Sequence, residues 1–324
     1  MRVLVVGDLM LDRYVSGSVT RISPESPVPV VQVEKEWAGV GGAANVAANV
    51  VALGARCDVV GCVGDDAAGY ELRERLEALG VGIGGLVEAG DRRTTIKTRV
   101  LAGHQQVVRI DREDSEDVSP EAVRRLRKEA RRGLASCASV VLEDYDKGVL
   151  VPGVIQEVLD GAKAEGVPTI VDPKRRRFFE YGSATVFKPN TTELEDALGE
   201  PVRPEDANWM EGARSRLSCE HLLLTLGGRG MALCSAGKAT TLFPASDRAV
   251  FDVSGAGDTV TAVVSLALAL GASMSEAAVL ANHAAAVQVS KPGVATVTRE
   301  ELYEQASNSV VAREVGGVGE VGES

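Results

Sequence analysis

Apolar positions along the chain follow two alternating rhythms. Val3–Val6 is an unbroken aliphatic run, the pattern of a strand buried on both faces. Ala43–Leu53 is apolar and rich in small residues, which predicts a closely packed helix ended by Gly54. Cys57–Val63 reads as the next strand. Leu72, Leu76 and Leu79 then fall at helical spacing within Tyr70–Leu79, which Gly80 closes. Pro120–Leu134 predicts an arginine-rich amphipathic helix, Val140–Leu142 a short strand and Val154–Ala164 another helix. Thr169–Asp172, Ala184–Lys188 and His221–Leu226 read as buried strands, and Val260–Leu270 and Ser275–Val289 as closing helices. Strands alternating with helices predict an α/β fold, a doubly wound and mostly parallel sheet with helices on both faces.

Two segments break the rhythm. Val28–Val33 and Thr94–Ile110 alternate with one polar face, as half-exposed antiparallel strands do. They predict a small β-sheet lid over one edge, drawn from about residues 12–38 and 92–111. From Asn308 the chain is rich in Val, Gly and Glu without a period, so residues 308–324 are expected to form a disordered tail behind one domain of residues 1–307. A chain of 324 residues is long enough to bury a sizeable core.

Charge narrows the function. The net charge of −11 and the 4% of aromatic residues argue against nucleic acid and anionic membranes as partners. A small anionic substrate remains open if one pocket is basic. The five cysteines, at 57, 62, 137, 219 and 234, form no CxxC, so reduced thiols in a cytoplasmic protein are expected rather than a disulfide framework or zinc cage. The run Val3–Val6 stops at Gly7-Asp8, too short for a signal peptide, and Val260–Ala272 is too short to span a bilayer. Asn190-Thr191-Thr192 matches a glycosylation sequon, without consequence if there is no secretory signal.

The strongest chemical signal is Asp252-Val253-Ser254-Gly255-Ala256-Gly257-Asp258, followed at once by an apolar helix. Glycines let a ligand approach the backbone, and free amides at a helix N-terminus favour an anion. Asp258 in the first turn could be a plain helix cap. With the flanking Gly-Ala-Gly it also suits phosphoryl transfer, the amides holding charge on phosphate while the carboxylate takes a proton from the attacking hydroxyl.

Gly255-Ala256-Gly257-Asp258 resembles the C-terminal signature of the PfkB, or ribokinase-like, carbohydrate kinases. Gly41-Gly42-Ala43-Ala44-Asn45 resembles their Gly-Gly motif, Asn190-Thr191-Thr192-Glu193 their Asn-x-x-Glu motif, and Thr225-Leu226-Gly227-Gly228-Arg229-Gly230 their Thr-x-Gly-x-x-Gly segment. The four stand in the family's order over about residues 1–300. Within that family, Gly7–Tyr14, Arg21–Val30, Arg99-Val100-Leu101, Gln105-Gln106, Arg109-Ile110-Asp111 and Val171-Asp172-Pro173-Lys174 are similar to the bacterial D-glycero-β-D-manno-heptose 7-phosphate kinases. The resemblance implies a ribokinase-like fold and transfer of a phosphoryl group from ATP, with Mg²⁺, to the anomeric hydroxyl, giving the 1,7-bisphosphate. In many bacteria such a kinase is fused to a nucleotidyltransferase with a His-x-Gly-His motif. Here His104, His221 and His283 stand in no such motif, and the kinase alone is expected.

On this resemblance Asp258 would be the general base on the sugar O1, and the amides of Gly255, Ala256 and Gly257 would stabilise the transferring phosphoryl group. No Walker lysine loop exists; Gly237-Lys238 is followed by Ala239. Asn190 and Glu193 would follow a strand end, where open α/β sheets bind ligands, with Glu193 acting on Mg²⁺ through water. The same pair also suits a helix N-terminus capped by Thr191 or Thr192. Gly41 and Gly42 would let the backbone pass close to the sugar, or only pack a helix, and Asn45 would bond its hydroxyls. Asp8 and Asp12 would accept hydroxyl hydrogen bonds, although Asp8 could cap a turn. Arg109, Lys147 and Lys174 are the candidates for the 7-phosphate. Thr225, Gly227 and Asn282 would join Asn190 in the nucleotide pocket. Arg175-Arg176-Arg177 reads as a solvated turn. Lys188-Pro189 before Asn190, and the three arginines after Lys174, depart from the heptose-kinase pattern. Gly39–Ala44 fits a dinucleotide G-x-G-x-x-A, but Glu34-Lys35-Glu36 precedes it in place of a buried strand, which excludes that reading. The exposed edges of the lid predict a homodimer formed through it. The alternatives are a PfkB kinase for another sugar or nucleoside and, from a different class, a non-catalytic sugar- or nucleotide-binding regulator.

Overall fold

The computed structural model describes residues 1–103, 105–246 and 250–315, with side chains up to residue 308. In chain order, β1 (Arg2–Gly7) leads into the lid strands β2 (Leu9–Ile22) and β3 (Pro29–Gly42), then α1 (Ala43–Ala52), β4 (Arg56–Val63), α2 (Ala67–Ala78) and β5 (Gly82–Glu88). The chain returns to the lid through β6 (Thr95–Ala102) and β7 (Gln105–Arg112). Next come α3 (Pro120–Leu134), β8 (Ser139–Glu143), α4 (Pro152–Glu165), β9 (Thr169–Asp172), β10 (Val186–Phe187), α5 (Thr191–Leu198), α6 (Ala207–Leu217) and β11 (His221–Thr225). β12 (Met231–Ser235), β13 (Thr241–Phe243), α7 (Ala256–Ala269), α8 (Met274–Val289) and α9 (Arg299–Val315) complete the order.

The main sheet runs β13-β12-β11-β10-β9-β8-β1-β4-β5. It is parallel from β5 to β11 and turns antiparallel at β12 and β13. The aliphatic run at the N-terminus is buried on both faces, as its pattern requires. Val3 and Val5 join a core beneath α1, α2, α7 and α8, while Leu4 and Val6 join a second core beneath α3, α4 and α6. All five cysteines carry free thiols. Among the described residues no helix is long and apolar enough to cross a membrane.

The lid is a separate four-stranded sheet, β3-β2-β6-β7. It differs from the sequence reading in two respects. Val28–Val33 is only the start of β3, which continues through the charged Glu34-Lys35-Glu36 because that stretch is exposed. The central β2/β6 pair is parallel, while β2/β3 and β6/β7 are antiparallel. Gly39–Gly42 therefore ends a lid strand, which agrees with rejecting the dinucleotide motif.

Other departures have local causes. β5 was hidden because Gly82, Gly84 and Gly85 dilute its apolar pattern. Of Ala184–Lys188, only Val186 and Phe187 pair as strand. Helix α2 begins at Ala67, three residues before the expected start, because Asp66 caps it by accepting from the Gly69 amide at 2.7 Å. Helix α9 passes Asn308, where a patternless tail was expected, and residues 316–324 lie outside the described residues.

Leu126 on α3 is fully buried in the second core. Leu126→Ala should cost about 2–5 kcal/mol of stability in urea unfolding while leaving ligand binding per folded molecule unchanged.

Candidate functional site

The C-terminal ends of β1, β8, β9 and β10 meet the N-terminus of α7. Gly255 enters that helix in the left-handed region, at φ 80°, and no side chain caps it. A Cβ there would sit 3.0 Å from Asn45 Nδ2 and 3.2 Å from Val294, so glycine is required on both counts. The amides of Gly257 and Asp258 meet no acceptor among the described residues, leaving an open anion-binding turn. The Ala256 amide makes a long bond of 3.3 Å to Val253 O, so it belongs partly to the turn rather than wholly to the cradle the sequence suggested.

Asp258 does not cap its helix. Its Oδ2 accepts from Asn45 Nδ2 at 2.6 Å and its Oδ1 from the Tyr145 hydroxyl at 2.8 Å. Burial pushes its carboxyl up to about 6, opposed by those two hydrogen bonds and by Lys188. Beneath it lie Glu143 and Asp172, which face each other across the β8/β9 ladder, and the three carboxylates come within 4.8 Å of one another. Lys188 stands among them, with Nζ 2.7 Å from Asp172 Oδ2 and the side chain nearly fully buried.

On the lid side, Asp12 is buried and paired with Arg99, also of the lid. Gly41 fits against it, since a Cβ at Gly41 would meet Asp12 Oδ2 at 2.2 Å. Gly42, at φ 58°, closes the strand where a Cβ would strike Asp8 O at 2.5 Å. The ring of Tyr145 carries Lys97 Nζ at 5.4 Å and Lys174 Nζ at 5.2 Å from its centroid.

Several expected roles need correction. Asp8 is not free for a hydroxyl: Oδ2 accepts from the amides of Tyr145 and Lys147, and Oδ1 from that of Val149. It clamps the loop that carries Tyr145. Asn45 spends an N–H on Asp258 and its side-chain oxygen on Asn49, so it orients that carboxylate rather than reaching outward to hydroxyls. Arg109 is half-exposed and bound by Asp111 on its own strand. Lys147 pairs with Glu113 at 2.8 Å. Lys174 pairs with Glu193. Burial works to lower its affinity for a proton, but Asp172 and Glu193 outweigh this and raise it. Sequence reasoning missed Tyr145, Lys97 and Lys188. Tyr145 and Lys188 did carry a signal, since both follow ends of parallel strands where ligands bind.

The residues expected on the nucleotide side come together. Asn190, Thr225, Gly227 and Asn282 line one cavity of about 480 Å³ with Ala256 and Gly257. Its other wall is apolar, formed by Val250, Val253, Val260 and Val289. Asn190 itself caps α5: Asn190 Oδ1 accepts from the Glu193 amide and Glu193 Oε2 from the Asn190 amide, both at 2.9 Å, so neither Thr191 nor Thr192 is the cap. One Glu193 oxygen is thus held by an amide and the other by Lys174, yet each retains acceptor capacity toward the waters of a hydrated ion. That fits an outer-sphere partner of Mg²⁺, which keeps most of its waters. Arg175–Arg177 is a short turn in which Arg176 and Arg177 pair with Asp117, so it is bridged rather than simply solvated.

The family model described as "pfkB family carbohydrate kinase" matches residues 1–301. The chain is 45% identical over 315 residues to the bifunctional protein HldE of Desulfatibacillum aliphaticivorans and 47% identical over 310 residues to that of Caulobacter vibrioides, covering 96% and 95% of this chain. It spans 64% of the length of either relative. Among solved structures, phosphofructokinase-2 from Escherichia coli in complex with fructose-6-phosphate superposes with a TM-score of 0.77 at 20% identity, covering 95% of this chain and 99% of that one. Arabidopsis thaliana ribokinase complexed with ribose and ATP gives 0.73 at 23% identity, with 94% and 97% covered. At such identities the structures speak for the fold.

Asp8→Ala should free three amides of the Tyr145 loop. Hydrogen exchange at Tyr145, Lys147 and Val149 is expected to quicken at least tenfold, with a stability loss of about 1–3 kcal/mol. Unchanged protection would remove Asp8 from the clamp.

Proposed function

The chain belongs to the pfkB family of carbohydrate kinases, phosphotransferases with an alcohol group as acceptor, and from that premise we propose that it uses ATP to phosphorylate the anomeric hydroxyl of D-glycero-β-D-manno-heptose 7-phosphate. The observation that carries the reading is the shared mouth of α7: a buried carboxylate, oriented by two neutral donors, beside backbone amides that meet no acceptor among the described residues. The nucleotide would lie in the 480 Å³ cavity, its base against the valines and its terminal phosphate toward Gly257. The sugar would lie under the lid, with Asp12 accepting hydroxyl hydrogen bonds.

Chemistry follows from charge. The attacking hydroxyl loses its proton to Asp258 as the bond to phosphorus forms, and the amides at the helix mouth meet the charge on the phosphoryl oxygens. Mg²⁺, bound to the phosphates and held through water by Glu193, would neutralise further charge on them. Tyr145 and Asn45 hold the carboxylate at its angle.

For the 7-phosphate, Lys97, Lys147 and Arg109 form the candidate group. Burial and then the positive charge of Lys147 lower the proton affinity of Lys97, with Arg109 adding to the effect, as expected of cations gathered in one place. An incoming dianion would relieve that repulsion. The resemblance of residues 7–14, 21–30, 99–101, 105–106, 109–111 and 171–174 to heptose 7-phosphate kinases, together with the identity to the HldE proteins, supports this acceptor over other sugars. Exposed Ile22, Val33 and Ile110 on the lid support a homodimer through it, and the cytoplasm is the compartment we assign.

The test is a phosphorylation screen with ATP and Mg²⁺ over heptose 7-phosphate, ribose, fructose and fructose 6-phosphate. Turnover only on heptose 7-phosphate is expected. Turnover confined to another sugar moves the chain to a different kinase of the family, and nucleotide binding without turnover on any of the four favours a regulator. Asp258→Asn should retain nucleotide binding and lose about 10²–10⁴ in rate. The wild-type rate should fall as pH drops through about 6, because a protonated Asp258 accepts nothing. The sign for stability is opposite. A carboxyl whose folded pKa lies above its unfolded value stabilises the fold at low pH and loses that contribution as pH rises through about 6. Asp258→Asn should therefore match or exceed the wild type in thermal stability above pH 6.

A further inference from the structure

Glu143, Asp172 and Asp258 are each almost wholly buried, at 0%, 6% and 4% exposure, and their carboxylate oxygens lie within 4.8 Å of one another. Among the described residues, neither oxygen of Glu143 has a hydrogen-bond partner. Three acids so placed demand a counter-charge, because each ionised carboxylate makes the next harder to ionise. The arrangement could suit a metal ion, but a cation of the chain already stands there. Lys188 leaves the end of β10, its amide bound to Val171 O at 2.8 Å, and brings Nζ to 2.7 Å from Asp172 Oδ2 at 3% exposure. A Cβ placed on Gly257 would be 3.5 Å from that Nζ, so the ammonium group sits directly under the first turn of α7.

The groups around Asp258 can be followed element by element. α1 offers neutral Asn45, and the loop after β8 offers Tyr145. β8 brings Glu143 and β9 brings Asp172. From the lid, Lys97 lies across the Tyr145 ring and Asp12 is paired with Arg99. Lys174, after β9, is held by Glu193 and also lends positive charge to Asp172 and Glu143. Asp8 and Asp144 belong to the opposite face of the sheet. Lys188 is therefore the cation placed among the three acids.

We propose that Lys188 is a positioning residue for phosphoryl transfer, a fixed ammonium group that lets Asp258 stand ionised beside two other buried carboxylates and adds positive charge beneath the amides of the α7 mouth. It rests on the kinase reading and extends it, since nothing in the motif set gives a role to this lysine. Burial alone would strip Lys188 of its proton, but Asp172 and then Glu143 outweigh that effect and raise its proton affinity, so it keeps its charge. Burial, with Asp172 and Asp258 adding to it, raises the proton affinity of Glu143, and Lys188 and then Lys174 oppose that rise. The charge of Lys188 thus acts on Asp172, Glu143 and Asp258 together.

The experiment is the pH profile of kcat and KM for wild type, Lys188→Met and Lys188→Arg, with ATP, Mg²⁺ and whichever sugar the wild type phosphorylates. The methionine variant should move the acidic limb of kcat upward by about one pH unit or more, with most of the rate recovered above the shifted limb and KM for ATP changed less than kcat. Arginine should restore the limb. A loss of rate that is uniform across pH, or a limb that does not move, would overturn the proposal, because a merely structural lysine would act that way. If Lys188→Met does not fold, Lys188→Met/Asp172→Asn, which removes opposite charges together, is compared with Asp172→Asn, and the same upward shift is expected between them. Should the wild type phosphorylate no sugar, the kinase reading falls by itself. The lysine is then read from the ¹³C-carboxyl titration of Asp258, assigned by its disappearance in Asp258→Asn. A midpoint unmoved by the methionine substitution overturns the proposal there too.

Discussion

A carboxylate that must take a proton has to be buried enough to hold one and oriented enough to reach it. An arginine partner would fix the direction but would also keep the group ionised and weakly basic. Asp258 is fixed instead by two neutral donors, the Asn45 amide and the Tyr145 hydroxyl. They set its angle at the mouth of α7 without the full electrostatic cost to its basicity, and burial carries it up to about 6. Much of the surrounding structure serves those two donors. Asn45 is braced by Asn49 one turn further along α1, and Tyr145 rides on a loop whose amides converge on Asp8.

The parallel sheet explains why these groups can meet at all. β1, β8, β9 and β10 are neighbours running in one direction, so their C-terminal ends lie in a row and deliver Asp8, Glu143, Asp172 and Lys188 to one edge. The lid supplies the remaining wall and the nucleotide cavity adjoins it through Gly257. Chain segments far apart in sequence thus converge on α7.

The sequence showed the backbone-determined parts of this arrangement well and the partner-determined parts poorly. Gly255 and Gly257 were legible because a left-handed entry and open amides leave a residue-type signature. The cavity wall was legible through the resemblance, whose Thr-x-Gly-x-x-Gly segment pointed to Thr225 and Gly227, while Asn190 also follows a strand end. Asp8 and Asn45 were given roles that their partners rule out: the amides of the Tyr145 loop and the Asp258 carboxylate. A residue type says what a side chain can bond; only the fold says what stands beside it. Tyr145 and Lys188 were missed in turn because a lone Tyr or Lys is commonplace until burial and neighbours single it out. β5 escaped notice because three glycines blurred its pattern, although its pairing with β4 is regular apart from one bulge.

Residues 143 and 144 show how little sequence this division of labour needs. Successive strand residues point to opposite faces. Glu143 turns toward α7 and the acids beneath the base, while Asp144 turns to the other core and accepts from the Tyr181 hydroxyl at 2.6 Å. Asp8 lies on that second side too, where it clamps the loop of Tyr145, and Tyr145 then crosses back to reach Asp258. One face of the sheet therefore holds the charges around Asp258, and the other holds the loop that aims it. A substitution on either face can impair the same carboxylate by different physics. Loss of charge on the α7 face alters when Asp258 accepts a proton, whereas loss of the clamp on the far face alters where it points.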